Sequence, residues 1–442
     1  MDRTPSGRYS DLFRERSFAA FLTAGALQFA APSAVLVVLL FRIALAYPAD
    51  VRVTYGALAL TFLGLSSALP TLVTMVVSGA YADRYDRGLL MRSANLMAMV
   101  ATAGLAADLI LHPDAAIPLP GPSGFYLPEW ILFAYPGWAL IAATSTLFRP
   151  AYNTLVPRLV DRTALGRANG LIYAVAAVAS AAGNVAAGLL LGVGPVVYAL
   201  AIPFVLFFGT QFALLFVHAD LSVDRTAAPR SVWVDAIHGF DYLYRRRDLF
   251  QITIAALLIN FLTALALVEL ALYVASWLGL AEGIYYGAML AAATAGAAFG
   301  FLMIGRIRFE HRAGRVMIVL ALAMGASLLA LALVRSIWLA VPIIFCYGIF
   351  PGMFTTIFLS AVQATVPDEK MGRVFAADEL GSYALVPVGQ WVGGLVTLAI
   401  GIQGTFLVAG GAIVALGVVM LTAFGALRRL AYRPHPADAA AA

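Results

Sequence analysis

The chain has 442 residues, of which 62% are hydrophobic and only 12% are charged, and its mean hydropathy is +0.91. A soluble domain carries about 25% charged residues, so this composition excludes an ordinary soluble enzyme. The net charge of +5 does not argue for nucleic acid, because the basic residues are concentrated in short segments between apolar runs.

Apolar runs of about 20 residues, long enough to cross a hydrocarbon core of roughly 30 Å, recur along the chain. We predict an all-α integral membrane protein with twelve transmembrane helices, numbered here as spans 1–12. The first span is too long for a signal-peptide core and no clear cleavage site follows it, so we expect it to remain as a helix. The predicted bounds are 17–46, 55–81, 92–111, 129–149, 168–193, 195–217, 249–278, 284–305, 315–334, 337–360, 374–400 and 404–427.

Positive charge predicts the orientation, because basic residues near short loops stay on the cytoplasmic side. With a cytoplasmic N-terminus, 25 of the 28 Lys and Arg residues fall in cytoplasmic segments. Only Arg42, Arg52 and Arg335 remain for the outer side. We therefore predict a multi-pass protein of the inner or plasma membrane with both termini in the cytoplasm.

Two features on the outer side have simple structural interpretations. Arg42 lies one turn before the end of span 1 and can extend to the outer interface. The loop at 112–129 contains five prolines, which predicts a stiff extended spacer.

Several catalytic chemistries have no sequence support. The lone cysteine, Cys346, lies inside span 10, so the chain cannot form an intramolecular disulfide or a CxxC metal site. The HExxH, GxSxG and GxxxxGK[ST] motifs are absent. We expect no enzyme activity, no cofactor, no metal ion and no nucleic-acid partner.

The largest polar break, 218–248, divides the chain into two six-helix halves, 1–217 and 249–442, the second of which ends in a short cytoplasmic tail. Apolar residues inside the break fall at helical spacing beside charged ones, which predicts an amphipathic helix at the inner membrane surface. They are Val232, Trp233, Ile237, Phe240 and Tyr244.

An internal repeat relates the two halves. Glycine and amide residues of span 5 recur in span 11 at a constant offset of 206. Small residues at this spacing let helices approach closely, and same-sense repeats of six helices are one architecture of secondary transporters. The predicted packing residues are Gly183, Asn184 and Gly188 in span 5 and Gly389, Gln390, Gly393 and Gly394 in span 11.

The loop after span 2 contains the sequence Gly79-Ala80-Tyr81-Ala82-Asp83-Arg84-Tyr85-Asp86-Arg87, followed by Arg92. This pattern resembles the GxxxDRxxRR signature of the major facilitator superfamily, at the expected place between the second and third helices. Gly88 stands where a second adjacent basic residue is common. The resemblance covers spans 1 to 12 and implies the family's fold of two parallel six-helix repeats.

The resemblance also implies a conformational gate. A carboxylate at the inner end of span 2 can face the positive N-terminus of a neighbouring helix, and nearby Arg residues can pair with acids there. The family places span 11 in that position. The alternative is that the loop charges are only solvated. The predicted gate residues are Gly79, Asp83, Arg84, Arg87, Arg92, Asp378 and Glu379.

Span 5 fits the exporter pattern G-x8-G-x3-GP-x2-GG with substitutions, since Ala replaces Gly twice and Asn184 replaces Pro. Ordinary tight helix packing explains these glycines equally well. The segments around Phe148 and after Gly239 look like the branch of the family that contains macrolide-efflux and enterobactin-exporter-like proteins. That similarity implies export.

In this superfamily the first, fourth, seventh and tenth helices line a central cavity, so polar groups there are the first candidates for substrate contact. A cavity walled by aromatic rings with few polar groups suits an amphipathic or hydrophobic substrate. The alternative is that these rings pack against lipid or other helices. The predicted cavity residues are Gln28, Asn260, Glu269, Phe345, Tyr347, Phe350 and Phe354.

Glu269 is the sharpest single position. It lies about 7 Å from the membrane midplane on span 7, with no basic residue within two turns. A carboxyl group there is suited to take up and release a proton during a transport cycle. The alternative is a protonated or hydrogen-bonded glutamic acid with a packing role.

Together these features predict a proton-coupled exporter of hydrophobic or amphipathic small molecules that works as a monomer, surrounded by membrane lipids, by alternating access. An importer or a lipid or lysolipid flippase of the same fold is an alternative within transport. A transport-inactive membrane receptor or assembly factor is an alternative from another class.

Overall fold

A computed structural model describes residues 16–48, 51–84, 86–112, 116–118, 126–153, 155–160, 165–217, 240–280, 282–303, 312–366, 374, 377–378, 381–382 and 385–430. Long apolar helices fill most of this part of the chain, and eleven of them are long and apolar enough to cross a membrane. The helices of the first half, one of them a short four-residue helix, are α1 (Arg16–Leu45), α2 (Arg52–Arg84), α3 (Arg87–Leu111), α4 (Glu129–Asn153), α5 (Val156–Leu159), α6 (Leu165–Val193) and α7 (Val196–Leu214).

The second half begins with a helical segment at 240–245, the end of the predicted amphipathic helix. The rest of that prediction, at 218–239, lies outside the described residues. A π-helical turn, Tyr273–Trp277, follows the three-residue helix Leu270–Leu272. The helices are α8 (Arg247–Leu267), α9 (Leu270–Leu272), α10 (Gly283–Met303), α11 (Ala313–Leu333), α12 (Ile337–Thr365), α13 (Val386–Thr422) and α14 (Gly425–Arg428).

Helix α13 contains two membrane crossings. Its 37 residues are nearly twice the length that one crossing needs. Gly401 breaks the helix with φ 75° and ψ 172°, a conformation open essentially to glycine alone. The hydroxyl oxygens of Thr397 and Thr405 lie 2.7 Å apart, whereas eight residues of continuous helix span about 12 Å. The chain therefore reverses at Gly401, and the predicted twelve-helix fold is confirmed.

The chain divides into two compact units. Unit 1 contains Met1–Tyr47, Ser66–Pro229 and Ala281–Ala291, and unit 2 contains the remainder. The units follow the two sequence halves except for two segments. The first part of α2, 48–65, belongs to unit 2, and the first part of α10 belongs to unit 1. Each sequence half therefore contributes one helix segment to the compact unit that the other half mainly forms.

Unit 1 is organised around Tyr152 at the end of α4. Its ring stacks on Phe21 of α1 with centroids 3.9 Å apart, and its hydroxyl donates to the Phe21 carbonyl oxygen. Gly25 leaves the space for this ring, because a Cβ atom there would collide with the Tyr152 hydroxyl. The buried Asn95 of α3 donates to the carbonyl oxygen of Phe207, which joins α3 to α7. Aromatic stacking thus joins α4 to α1, and this hydrogen bond joins α3 to α7.

The internal repeat is visible in the packing. In unit 1, α6 lies against α1 at Gly183 and against the first part of α10 at Gly188. In unit 2, α13 lies against α8 at Gly389 and against the first part of α2 at Gly394. Spans 1, 2 and 5 correspond to spans 7, 8 and 11, so the same three-helix arrangement occurs twice.

Two short strands, β1 (Ala116–Pro118) and β2 (Tyr126–Pro128), lie in the proline-rich loop. They pair antiparallel, with Ile117 opposite Leu127. The described part of this loop is extended, as its prolines predict, and the strand pairing is an addition that the sequence did not indicate.

Candidate functional site

A hydrogen-bonded carboxylate lies beside the start of α8. Asp378 Oδ1 accepts hydrogen bonds from the hydroxyls of Thr253 and Ser382, each at 3.1 Å. Placing a carboxylate within a membrane-spanning helix costs free energy unless the group is paired or hydrogen-bonded. The two hydroxyl donors reduce that cost. The structure therefore places this predicted gate residue against α8. Its predicted companion Glu379 lies outside the described residues.

Further along α8, two polar groups predicted to contact substrate have partners on neighbouring segments. Asn260 Nδ2 donates to the carbonyl oxygen of Ser382 at 3.0 Å. The Tyr347 hydroxyl on α12 donates to Thr263 Oγ1 at 3.0 Å. Positions 253, 260 and 263 are seven and three residues apart, so they project from about the same face of the helix. This polar face of α8 is defined as Thr253, Asn260 and Thr263.

The aromatic series on α12 divides into two groups. Phe345 and Phe350 are half-buried, and the Phe345 ring lies 6.0 Å from Phe299 of α10. Tyr347 and Phe354 are buried, with 3% and 7% of their surface exposed. The half-buried pair can offer an apolar surface to a ligand, whereas the buried pair is occupied in helix packing.

Glu269 lies where the regular helix stops. Helix α8 ends at Leu267, and Glu269 caps the three-residue helix α9 before the π-helical turn. The side chain is fully buried, and neither carboxyl oxygen makes a hydrogen bond to the described residues. π-Helical turns within helices are frequent at functional sites. Among the described residues the carboxyl group therefore has no partner, and it lies at an irregularity in the membrane-spanning backbone.

The segment after Glu269 is fixed to the end of α11. The Tyr273 hydroxyl donates to the carbonyl oxygens of Leu331 and Val334, and Trp277 Nε1 donates to Val334 as well. The Arg335 guanidinium stacks 4.1 Å from the centre of the Trp277 ring. Glu269 therefore separates the polar face of α8 from a firmly held π-helical turn.

In unit 1, Gln28 is the predicted substrate residue of α1. It is 2% exposed, and neither atom of its side-chain amide bonds to the described residues. One turn further along, Ser33 donates to Asn184 Oδ1 at 2.6 Å. This bond links α1 to α6 at the position where the exporter pattern has proline. Asn184 therefore has a structural partner that proline could not provide.

The motif between α2 and α3 is described in part. The backbone places Gly79, Asp83 and Arg84 in the last turns of α2, and their side chains lie outside the described part. Arg92 Nε donates to the Gly88 carbonyl oxygen at 3.1 Å. Arg87 begins α3 and is half-buried. The described side chains of the motif thus stabilise the start of α3.

Sequence reasoning missed two kinds of residue. Asp86 caps α3, with Oδ1 accepting from the backbone N–H of Leu89 at 2.7 Å, and an aspartate directly before a predicted helix is the known signal for this role. Thr253 and Ser382 carried no such signal, because hydroxyls in membrane helices usually bond to their own backbone. In the described part of the chain, no group of three or more His, Cys, Asp or Glu side chains could hold a metal ion.

A duplicated set of membrane-spanning helices, with acids and amides inside the helix units, is typical of a membrane transporter. The family model of the Major Facilitator Superfamily matches residues 17–386, and the chain belongs to this family. Its members are secondary transporters that work by alternating access. The family resemblance seen in the motif is confirmed.

Curated relatives agree with this assignment. The uncharacterized MFS-type transporter YfiS of Bacillus subtilis (strain 168) is 25% identical over 373 residues, which cover 82% of this chain and 84% of YfiS. The enterobactin exporter EntS of Salmonella typhi is 25% identical over 386 residues, covering 83% of this chain and 84% of EntS.

Solved structures share the fold. A D-xylose-proton symporter superposes with a TM-score of 0.69 at 13% identity, covering 94% of this chain and 99% of the symporter. The peptide transporter POT in complex with sulfate gives 0.67 at 14% identity, covering 98% and 97% of the two chains. At these identities the similarity concerns the fold alone.

Proposed function

We propose that this protein is a proton-coupled exporter of hydrophobic or amphipathic small molecules, located in the cell membrane as a monomer with both termini in the cytoplasm. The observation that carries the proposal is Glu269, a fully buried carboxyl group without a hydrogen-bond partner in the described structure.

The surroundings of Glu269 favour a group that changes its protonation state. Burying a charged carboxylate without a partner costs several kcal/mol, so the neutral acid is the stable form in this position. Release of the proton requires water to reach the carboxyl group. The break between α8 and α9 is a natural place for the helix to bend and admit water, because the regular backbone hydrogen bonds are already interrupted there.

The substrate class follows from α8 and α12. The half-buried Phe345 and Phe350 supply an apolar surface, and the partly exposed Asn260 and Thr263 supply a few polar atoms nearby. Such a mixture fits a ligand with one polar end and an apolar body. The relationship to the enterobactin exporter EntS favours export. Import is the second candidate, since a D-xylose-proton symporter shares the fold.

The test is transport in proteoliposomes with an imposed pH gradient, using the amphipathic dyes rhodamine 6G and ethidium as probes. Glu269→Gln should abolish accumulation driven by the gradient, because an amide cannot carry a proton. Exchange of probe without a gradient should survive, because glutamine keeps the size of the side chain. The matched control is Glu282→Gln, which removes an exposed carboxylate and should behave like the wild type.

Five results would redirect the proposal. If Glu269→Gln accumulates probe with the pH dependence of the wild type, Glu269 is not the coupling group. Asp108 and the Asp378/Glu379 pair then become the next carboxylates to test. Lower thermal stability with an unchanged pH profile indicates a packing role. Movement of probe only in the inward direction indicates an importer. Movement of labelled lipid but neither dye indicates a flippase, and no movement of any probe indicates a receptor or assembly factor.

A further inference from the structure

A cavity of about 570 Å³ lies in unit 1 where α1, α3 and α6 end and α7 begins. This volume falls within the roughly 300–1,000 Å³ typical of small-molecule sites. Arg42 is the single charged side chain of its lining, and apolar groups form the walls. The lining residues are Phe41, Arg42, Leu45, Leu109, Ile110, Leu191, Gly194, Pro195, Val196 and Val197.

Arg42 has unused hydrogen-bonding capacity in this cavity. Its Nε atom is buried and makes no hydrogen bond to the part of the chain that the structure describes. The guanidinium carbon lies 5.7 Å from the centre of the Trp130 ring, within cation–π distance. The carboxylate of Asp108, next to the lining residue Leu109 in the sequence, lies 3.1 Å from His112 Nδ1. A buried guanidinium N–H without an acceptor is costly, so the site favours a ligand that supplies one.

The start of α7 adds a second source of positive potential. This helix is 19 residues long, and no side chain caps its N-terminus. Val196 and Val197 of its first turn line the same cavity as Arg42. The unpaired N–H groups and the dipole at a helix N-terminus favour an anion such as a phosphate.

The position of the cavity identifies the occupant. Arg42 lies in the last turn of α1, and the cavity is formed by helix ends, so it sits at the boundary between lipid headgroups and acyl chains. Leu109 and Ile110 extend the apolar wall toward the lipid, and Ile110 is 61% exposed. A free phosphate ion would use the guanidinium and leave these walls without a partner. A phospholipid would use both.

We propose that this cavity binds one anionic phospholipid of the outer leaflet, with its phosphate against Arg42 and the first turn of α7 and its acyl chain against Leu109, Ile110 and Leu191. The site lies in unit 1, apart from Glu269 in unit 2, and it does not depend on the direction of transport.

Native mass spectrometry of the full-length protein tests this site, with phosphatidylglycerol and phosphatidylcholine of identical acyl chains as probes. The wild type should retain one phosphatidylglycerol with about tenfold preference over phosphatidylcholine. Both lipids carry a phosphate, but the choline of phosphatidylcholine places a positive charge beside it, which weakens the attraction of the headgroup to Arg42 and to the N-terminus of α7. Arg42→Gln should reduce the preference to less than about twofold. Arg52→Gln is the matched control, because it removes another outer-side arginine that does not line the cavity.

A second variant keeps the test decisive if Arg42→Gln does not fold. Val196→Asp places a carboxylate in the first turn of α7, where the helix dipole tolerates it, and should displace the lipid phosphate by pairing with Arg42. Retention of the preference in Val196→Asp, or equal loss in Arg52→Gln, would overturn the proposal. So would release of phosphatidylglycerol by millimolar inorganic phosphate, which would show that the site recognises the free ion.

Discussion

The two parts of α10 make close glycine contacts of different kinds. In unit 2, Cβ atoms added at Gly296 and Gly300 would collide with the carbonyl oxygens of Phe345 and Ile349 on α12. In unit 1, a Cβ atom at Gly287 would lie 2.8 Å from the Asn184 carbonyl oxygen on α6. One helix therefore packs through glycine against a partner from its own sequence half and against a partner from the other half.

This difference indicates which helix contacts must persist throughout the transport cycle. α10 and α12 belong to the same six-helix repeat, and glycines on both helices bring their backbones together. α6 and α10 belong to different repeats, which an alternating-access transporter must separate during each cycle. We expect the contact between α10 and α12 to hold throughout the cycle and the contact between α6 and α10 to open and close.

The largest effect should come from Gly348→Leu on α12. A Cβ atom at Gly348 would collide with the Ala293 carbonyl oxygen of α10, and backbone atoms cannot move aside as a side chain can. We expect a loss of about 3 kcal/mol in the free energy of unfolding and little folded protein. The thermal unfolding temperature in detergent measures it. Gly411→Leu is the control, since nothing lies within 4 Å of a Cβ atom there.

Equal stability of Gly348→Leu and Gly411→Leu would show that the contact between α10 and α12 is not a fixed part of the second repeat. It would then be no different in kind from the contact between α6 and α10.

An intermediate effect is expected from Gly188→Val on α6. Its Cβ atom would lie 2.9 Å from the Gly283 carbonyl oxygen and from Gly287 Cα. Because this contact joins the two repeats, the variant should still fold. The free energy of the open state relative to the closed state should fall by about 1 kcal/mol, which is a fivefold rise in the population of the open state. The measurement is the rate at which an impermeant maleimide labels Ala291→Cys from outside, in a Cys346→Ser background.

Gly192→Val is the matched control for this experiment. It lies one turn further along the same helix, and nothing is within 4 Å of its Cβ position. An unchanged labelling rate in Gly188→Val, or the same increase in Gly192→Val, would contradict a contact that opens and closes.

The smallest expected effect is a difference in stability between Tyr→Phe variants of two buried tyrosines, one in each unit. The Tyr273 hydroxyl donates to two carbonyl oxygens, whereas the Tyr286 hydroxyl has no partner among the described atoms. Tyr273→Phe should lose about 0.6 kcal/mol of stability, and Tyr286→Phe should be neutral or slightly more stable. Paired thermal unfolding measurements would decide it. A larger loss for Tyr286→Phe would mean that its hydroxyl has an acceptor beyond the described residues.

Much of the fold follows from hydropathy alone. Span 8 is predicted at 284–305 and observed as Gly283–Met303, and span 1 is predicted at 17–46 and observed as Arg16–Leu45. The backbone groups of twenty apolar residues in lipid must form their hydrogen bonds within the protein, and a helix does this within one segment. A long apolar run therefore predicts a helix directly.

The break at Glu269 could not be predicted in the same way. Span 7 is predicted as one continuous helix, and the residues around Glu269 include no proline or glycine that would mark an interruption. The interruption coincides with hydrogen bonds from Tyr273 and Trp277 to the end of α11, some 60 residues later in the chain. Such a break is decided by tertiary packing, which a local pattern does not contain.

The sequence predicts the positions of the polar residues in the candidate site, but it does not predict their hydrogen-bond partners. Polar residues such as Asn260 stand out because membrane helices contain few of them. Their hydrogen bonds join distant parts of the sequence, as with Thr263 and Tyr347, and depend on how the helices rotate against each other. The direct role of these residues in transport remains a prediction for experiment.

With the proposed cytoplasmic termini, the reversal at Gly401 faces the outside of the cell, and this has a consequence for reagents that approach from that side. The chain enters its last crossing within a few residues of leaving the previous one, because Thr397 and Thr405 already touch across the turn. An antibody or a protease needs several accessible residues of backbone to bind, and this hairpin offers very few of them. The loop that carries β1 and β2 between α3 and α4 is longer and presents extended backbone. Antibodies raised against intact cells should therefore recognise the strand-bearing loop of the first repeat and leave the helical hairpin of the second unrecognised.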